Sequence, residues 1–243
     1  MPADDAPLYG PLLRVFLCGR RSFGAAVLGM LLDRPEVLVC GVSAPAPAGG
    51  AGEDNTWRLA RLHDLPRLPA GRLRGELLPR GTDLIIAAHS HDFIGRRTRA
   101  AAALGAIGYH PSLLPLHRGR DAVRWTIRDR DRIAGGTVFW LTDSVDAGPI
   151  AAQDWCFVRP GDDASSLWAR DLFPMGIRLL SGVIDDVLAG TARRAPQDRS
   201  LATWEPAMDS PPIHRPELPE LLPPSAGSSV SALTCKQVAE QVD

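Results

Sequence analysis

Gly105-Ala106-Ile107-Gly108-Tyr109-His110-Pro111-Ser112-Leu113-Leu114-Pro115-Leu116-His117-Arg118-Gly119-Arg120 is the stretch from which the rest of the chain can be read. A short apolar run ends on a histidine, then meets a proline, a serine, an apolar pair, a second proline and a basic Arg-Gly turn. Each proline pushes its predecessor out of the α region, so a strand gives way here to a loop that cannot become helix at once. A histidine at such an exit is held by backbone. Downstream, residues 137–141 read as a second strand, and Asp146-Ala147-Gly148-Pro149 as a sharp turn that presents a carboxylate. An imidazole and an acid able to orient it are the raw material of proton-transfer chemistry.

Working outward, residues 12–18 are almost wholly apolar, as in a strand buried on both faces. Residues 25–32 have a helical apolar pattern and 37–42 read as strand. This β-α-β opening, with its right-handed crossover, predicts parallel strands and an α/β fold. Residues 83–88 form a third buried strand. Helices are expected at 56–62 and 96–104, and from a cap at Asp121 through about 128, with Trp125 in the core. A short extended piece is expected at 65–68 and another strand at 150–158. A long helix should begin at Asp162-Asp163 and end at Gly190, with Pro174 inside it as a source of kinking.

The 243 residues are 45% hydrophobic and 23% charged, which suits one substantial domain that buries its own core, with a short appendage. With 27 basic and 28 acidic side chains, the net charge of −1 gives no global reason to expect nucleic acid or an anionic membrane as partner. Cys18, Cys40, Cys156 and Cys235 are scattered without Cys-x-x-Cys spacing, as for reduced thiols in a cytosolic protein. The first residues lack a basic start and an apolar core, and no apolar run approaches the roughly 20 residues of a membrane helix. The expectation is a soluble, cytoplasmic protein. Gly19 and Gly24 lack the Gly-x-Gly-x-x-Gly spacing of a dinucleotide loop. His89, His91 and Asp92 fall within four positions, but further metal donors are missing from the pattern, so no metal is expected.

His-Pro-Ser-Leu-Leu-Pro, then Arg-Gly, then Asp-Ala-Gly-Pro-Ile together resemble the 10-formyltetrahydrofolate-dependent formyltransferases. The separation of His110 from Asp146, 146 − 110 = 36 positions, is also that family's spacing between its catalytic histidine and aspartate. The looser match runs from about residue 14 to about 206, and the likeness is strongest to the hydrolase domain of 10-formyltetrahydrofolate dehydrogenase. The resemblance implies a Rossmann-like, mostly parallel twisted sheet with helices on both faces. It implies a catalytic domain over 1–206, leaving a Pro/Ser-rich tail over 207–243 too short for the tRNA-gripping barrel of methionyl-tRNA formyltransferases.

It further implies that His110 and Asp146 carry the chemistry. The transferases have an asparagine two residues before the histidine; this chain has Gly108, as the hydrolase domain also lacks that asparagine. The pterin loop maps onto His91, Asp92, Phe93 and Ile94, and Thr142 and Asp143, just ahead of the turn, are grouped with it as cofactor-binding. Arg20 and Arg21, at a strand's carboxyl end where open α/β sheets bind ligands, and Arg118 are the candidate grips for an anionic acceptor. Ser112 lacks the Gly-x-Ser-x-Gly surroundings of a nucleophile, and His117 reads as structural. The expected partners are folate, as the cosubstrate 10-formyltetrahydrofolate, and a small amine, phosphorylated or nucleotide-linked. Hydrolysis to tetrahydrofolate and formate, and folate binding without turnover, stand as the alternatives.

Overall fold

The computed structural model describes residues 12–49, 52–90 and 92–209. The leader at 1–11, His91 and all of the tail beyond 209 lie outside the described residues. In chain order the elements are β1 (Leu13–Gly19), α1 (Arg21–Leu32), β2 (Val37–Ala44), α2 (Asn55–Leu62), β3 (Arg67–Pro69), β4 (Leu84–Ala88), α3 (Arg96–Ala100), β5 (Gly105–His110), β6 (Arg118–Gly119), α4 (Ala122–Arg128), β7 (Ile133–Trp140), β8 (Ile150–Phe157), α5 (Ala164–Leu167), α6 (Phe173–Leu188) and β9 (Trp204–Glu205).

Seven strands form one sheet in the order β3-β2-β1-β4-β5-β7-β8, and β6 pairs with β9 in a second, two-stranded sheet. The first five run parallel; β7 is antiparallel to both β5 and β8. The expected α/β, mostly parallel sheet is therefore present. Side-chain alternation explains its apolar central strands. Val15 and Leu17 of β1, Leu84 and Ile86 of β4, and Ile107 and Tyr109 of β5 face one core, with α1 and α6. Phe16, Cys18, Ile85 and Ala106 face the other. The chain leaves β1 for β2 on one side and reaches β4 on the other, so the carboxyl ends of β1, β4 and β5 frame a crevice of the kind in which such sheets bind ligands.

Four local expectations are corrected. The helix expected at 96–104 stops at Ala100, because the amides of Ala103 and Leu104 are taken by the carbonyls of Thr82 and Asp83, which lead the chain into β5. Asp121 precedes α4 but does not cap it; it sits at φ +58° and its Oδ2 accepts from the Met208 amide at 3.0 Å. Trp125 is only half-buried, with Nε1 donating to the Pro206 carbonyl at 2.9 Å and the Arg128 guanidinium 4.5 Å over its ring. The long helix after Asp163 is interrupted: a capping box at Asp163 and Ser166 starts α5, a π-helical turn follows over Trp168–Leu172, and Pro174 lies in the first turn of α6. A proline there sacrifices no intrahelical bond, and the wider turn absorbs the break.

β7 extends the strand read at 137–141 back to Ile133 and so takes in Gly135 and Gly136. A Cβ on Gly136 would stand 2.2 Å from the Tyr109 hydroxyl oxygen, so only glycine lets β7 pass that ring. Among the described residues no helix is long and apolar enough to cross a membrane.

Candidate active site

β5 ends on His110, which is 8% exposed at the carboxyl edge of the sheet. Its Nε2 is 2.7 Å from the carbonyl oxygen of His117. A carbonyl can only accept, so Nε2 carries the hydrogen and donates it, and the tautomer is fixed. Nδ1 is then the nitrogen available for proton transfer. It faces Asp146 Oδ2 at 3.7 Å, beyond direct hydrogen-bond range.

Asp146 reaches this position through a tight loop. It adopts φ +48°, a left-handed conformation that aspartate tolerates better than most residues, and Oδ2 accepts from the Gly119 amide at 2.8 Å. Two residues on, a Cβ at Gly148 would lie 1.7 Å from the Trp140 carbonyl oxygen, so the return into β8 requires glycine.

The segment after α6 straps both partners. Thr203 Oγ1 accepts from the His117 amide at 2.7 Å, and β9 pairs with β6. The His117 ring lies between Asp131, 2.8 Å from Nε2, and Glu205, 3.4 Å from Nδ1. Arg118 turns toward this strap: its Nε and Nη2 donate to Gln197 Oε1 at 3.1 and 2.6 Å. Burial lowers the Arg118 guanidinium from its ordinary value, and Asp146 pulls it back up. Gln197 and the His117 carbonyl carry no signal of their roles in the sequence, because one acts through partners distant in the chain and the other through backbone; Gly119 belongs to the Arg-Gly motif, but nothing in that motif shows that its amide holds Asp146.

Of the residues grouped for cofactor, Ile94 is buried and the ring of Phe93 is 57% exposed. Asp92 is engaged with Ser43, whose Oγ donates to Oδ2 at 2.7 Å, and with the Gly71 amide. Thr142 donates to the Ser144 carbonyl at 3.3 Å. Asp143 pairs with Arg96 and Arg99, whose side-chain hydrogen bonds hold its carboxyl below the usual range. Arg99 also donates to the Ile94 carbonyl at 2.6 Å and so ties the two loops together, a role the sequence did not reveal. Beside them is a cavity of about 400 Å³ lined by Arg96, Arg99, Ala106, Leu141 and Arg194 among others. Ala106, Gly108 and His110 lie on one face of β5, so the strand runs from this cavity to the imidazole. At Gly108 a Cβ would meet Leu141, Ala87 and Phe139 at 3.2 to 3.6 Å, an apolar wall with no donor among these neighbours.

On the far side of the crevice, Arg20 and Arg21 lead into α1. Burial, then the like charge of Arg21, lowers the Arg20 guanidinium; Asp54 opposes this and Arg120 adds to it. The Arg21 amide donates to Asp54 Oδ2 at 2.8 Å. The crevice edge is thus positively charged where these arginines cluster. His89, considered as a metal ligand, adopts φ +59° and packs against Trp168, its ring centroid 6.1 Å away. Among the described residues the group with donor atoms within 4.8 Å of one another is a different one, His117, Asp129 and Glu205.

Residues 70–180 match the family described as Formyl transferase. The chain is 34% identical over 203 residues to mitochondrial 10-formyltetrahydrofolate dehydrogenase of Mus musculus, over 79% of this chain and 22% of that protein. It therefore spans only a small part of the curated relative's length. Glycinamide ribonucleotide transformylase 1 of Symbiobacterium toebii superposes with a TM-score of 0.65 at 24% identity, covering 80% of this chain and 99% of that one. The N-formyltransferase of Helicobacter canadensis, solved with folinic acid and dTDP-3-aminofucose, gives 0.67 at 14% identity, covering 84% and 74%. With the sheet order, the strand-exit histidine and its facing aspartate already in place, these likenesses make the chain a member of the folate-dependent formyl transferase family, matching its N-terminal domain.

Proposed function

We propose that this chain takes the formyl group of 10-formyltetrahydrofolate and transfers it to the amine of a small anionic acceptor. The observation that carries the reading is the facing of His110 Nδ1 and Asp146 Oδ2 across 3.7 Å at the end of β5. The cavity beside Ala106 and Leu141 suits a pterin, with the formyl-bearing N10 directed along β5 toward His110. The arginines at positions 20 and 21 suit a phosphate or diphosphate on the acceptor.

In the reaction so envisaged, the amine nitrogen bonds to the formyl carbon and the carbonyl oxygen becomes an oxyanion. Protonated at Nδ1, His110 stabilises that oxygen, and the Asp146 carboxylate balances the imidazolium charge. As the bond from carbon to N10 breaks, the proton given up by the amine is delivered to N10. At 3.7 Å Nδ1 and Oδ2 are not hydrogen-bonded to each other, so both remain able to bond the acceptor or a water approaching from the side. With Gly108 in place of an amide side chain, the oxyanion leans on His110 more heavily than in an asparagine-bearing site, where one donor is worth about 2.7–4 kcal/mol.

A second reading, hydrolysis to tetrahydrofolate and formate, is favoured by the missing amide at Gly108 and by the 34% identity to a 10-formyltetrahydrofolate dehydrogenase. Water then replaces the amine as nucleophile. Incubation with 10-formyltetrahydrofolate, with and without a panel of phosphorylated and nucleotide-linked amines, separates the two. Transfer predicts a mass gain of one formyl unit on one acceptor and negligible formate without it. Formate released at full rate in the absence of any amine rejects an obligatory transferase.

A further inference from the structure

We infer that Gln197 is a positioning residue for Asp146, fixing the carboxylate opposite His110 from the segment that follows α6. The inference rests on the roles proposed above for His110 and Asp146. Gln197 Nε2 donates to the carbonyls of Asp146 at 2.9 Å and of Gly148 at 2.7 Å. Its Oε1 accepts both Arg118 bonds. All four hydrogen-bonding positions of the carboxamide are used, and a flipped amide would set donors against donors and an acceptor against carbonyl oxygens. The side chain therefore has one orientation.

Arg118 is followed by Gly119, whose amide donates to Asp146 Oδ2. The contacts close a ring: Asp146 carboxylate, Gly119, Arg118, Gln197, Asp146 carbonyl. Such a ring grips the aspartate from both its side chain and its backbone. A non-glycine residue at φ +48° persists where its surroundings over-determine it, and here the carbonyl side is held by the single amide of Gln197. Glutamate at this position would still accept from Arg118 but would turn an oxygen toward two carbonyl oxygens. Alanine would leave both carbonyls and the guanidinium without this partner.

The test compares Gln197→Ala and Gln197→Glu with the parent protein on 10-formyltetrahydrofolate. Misplacing a reacting group by about 1 Å can cost about 10²-fold, so turnover should fall roughly 10- to 100-fold. KM and the directly measured folate Kd should stay within about threefold, since the pterin loops are untouched. The pH profile of the residual activity should move toward that of Asp146→Asn. Hydrogen exchange at the Gly119 amide should quicken in both variants while amides in β1 and β4 keep their rates. Turnover within about twofold of the parent, or unchanged Gly119 exchange, overturns the inference. Should Gln197→Ala not fold, Gln197→Glu and Arg118→Met give the same two readouts. A parent protein that turns over no folate rejects the proposed function instead, and Gly119 exchange then still decides whether Gln197 holds Asp146.

Discussion

His110 Nδ1 and Asp146 Oδ2 stand 3.7 Å apart, facing each other but not bonded, while the other ring nitrogen of His110 is committed to the His117 carbonyl. The pair is thus fixed in orientation without a direct hydrogen bond between its members. His110→Gln and Asp146→Asn should each lower single-turnover formyl release about 10²- to 10⁴-fold, the usual contribution of a positioned acid or base. Folate binding, read by calorimetry, should be kept in both. Loss of binding in step with rate would make them pocket walls rather than proton carriers.

Gly108 stands where the family's transferases usually carry asparagine, yet its neighbours are Leu141, Ala87 and Phe139. Gly108→Asn should not restore an oxyanion donor. It buries an amide against these apolar groups, at a cost of about 1–3 kcal/mol for a buried polar group left unsatisfied. Thermal unfolding should show a lowered Tm with no gain in turnover. A variant that is faster and equally stable would mean that the amide reaches the reacting oxygen.

Arg20 is partly buried and Arg21 exposed, and both lie at the β1 exit. If they hold the acceptor's anionic group, Arg20→Ala should raise the KM for a phosphorylated amine about tenfold and flatten its dependence on salt. Turnover at saturation should change little. Steady-state kinetics across ionic strength checks this, and an unchanged KM in both single variants would sink the assignment. Arg118 belongs to a different test, since its guanidinium is occupied by Gln197.

The central strands were legible because burial on both faces writes a continuous apolar run, as in Ile85-Ile86-Ala87-Ala88 and in the stretch leading to Tyr109. His110 and Asp146 were legible through their motifs and spacing. The antiparallel return of β7 and β8 was not, since periodicity says nothing of strand direction. Pro174 correctly marked a break, but a π-helical turn has no residue signature of its own. Asp121 looked like a cap because aspartate favours that role, and tertiary contact with the Met208 amide took the side chain instead. Gln197 and Arg99 depend on partners 79 and 44 positions away, which a local pattern cannot encode, and the His117 carbonyl is backbone, which leaves no residue signature.

Cys156 and Tyr109 give the fold an alkaline limit. Burial, with Asp171 adding to it, pushes the Cys156 thiol up to about 11. Burial likewise raises Tyr109, whose hydroxyl donates to the Leu172 carbonyl at 2.7 Å. A folded-state pKa above the unfolded one contributes stability that is complete below the unfolded value. It is lost as pH rises toward the folded value. Stability should therefore hold to about pH 9 and decline between about 9 and 11, and Cys156→Ala should flatten part of that decline in urea titrations. Tyr109→Phe should cost about 1 kcal/mol already at pH 7, where the hydrogen bond rather than the titration is lost. With the thiol held up by burial, iodoacetamide should label Cys156 slowly at pH 8 and faster as pH approaches 11. Labelling at pH 7.5 at the rate of an unperturbed thiol would show that the site is open to water and that the limit has another source.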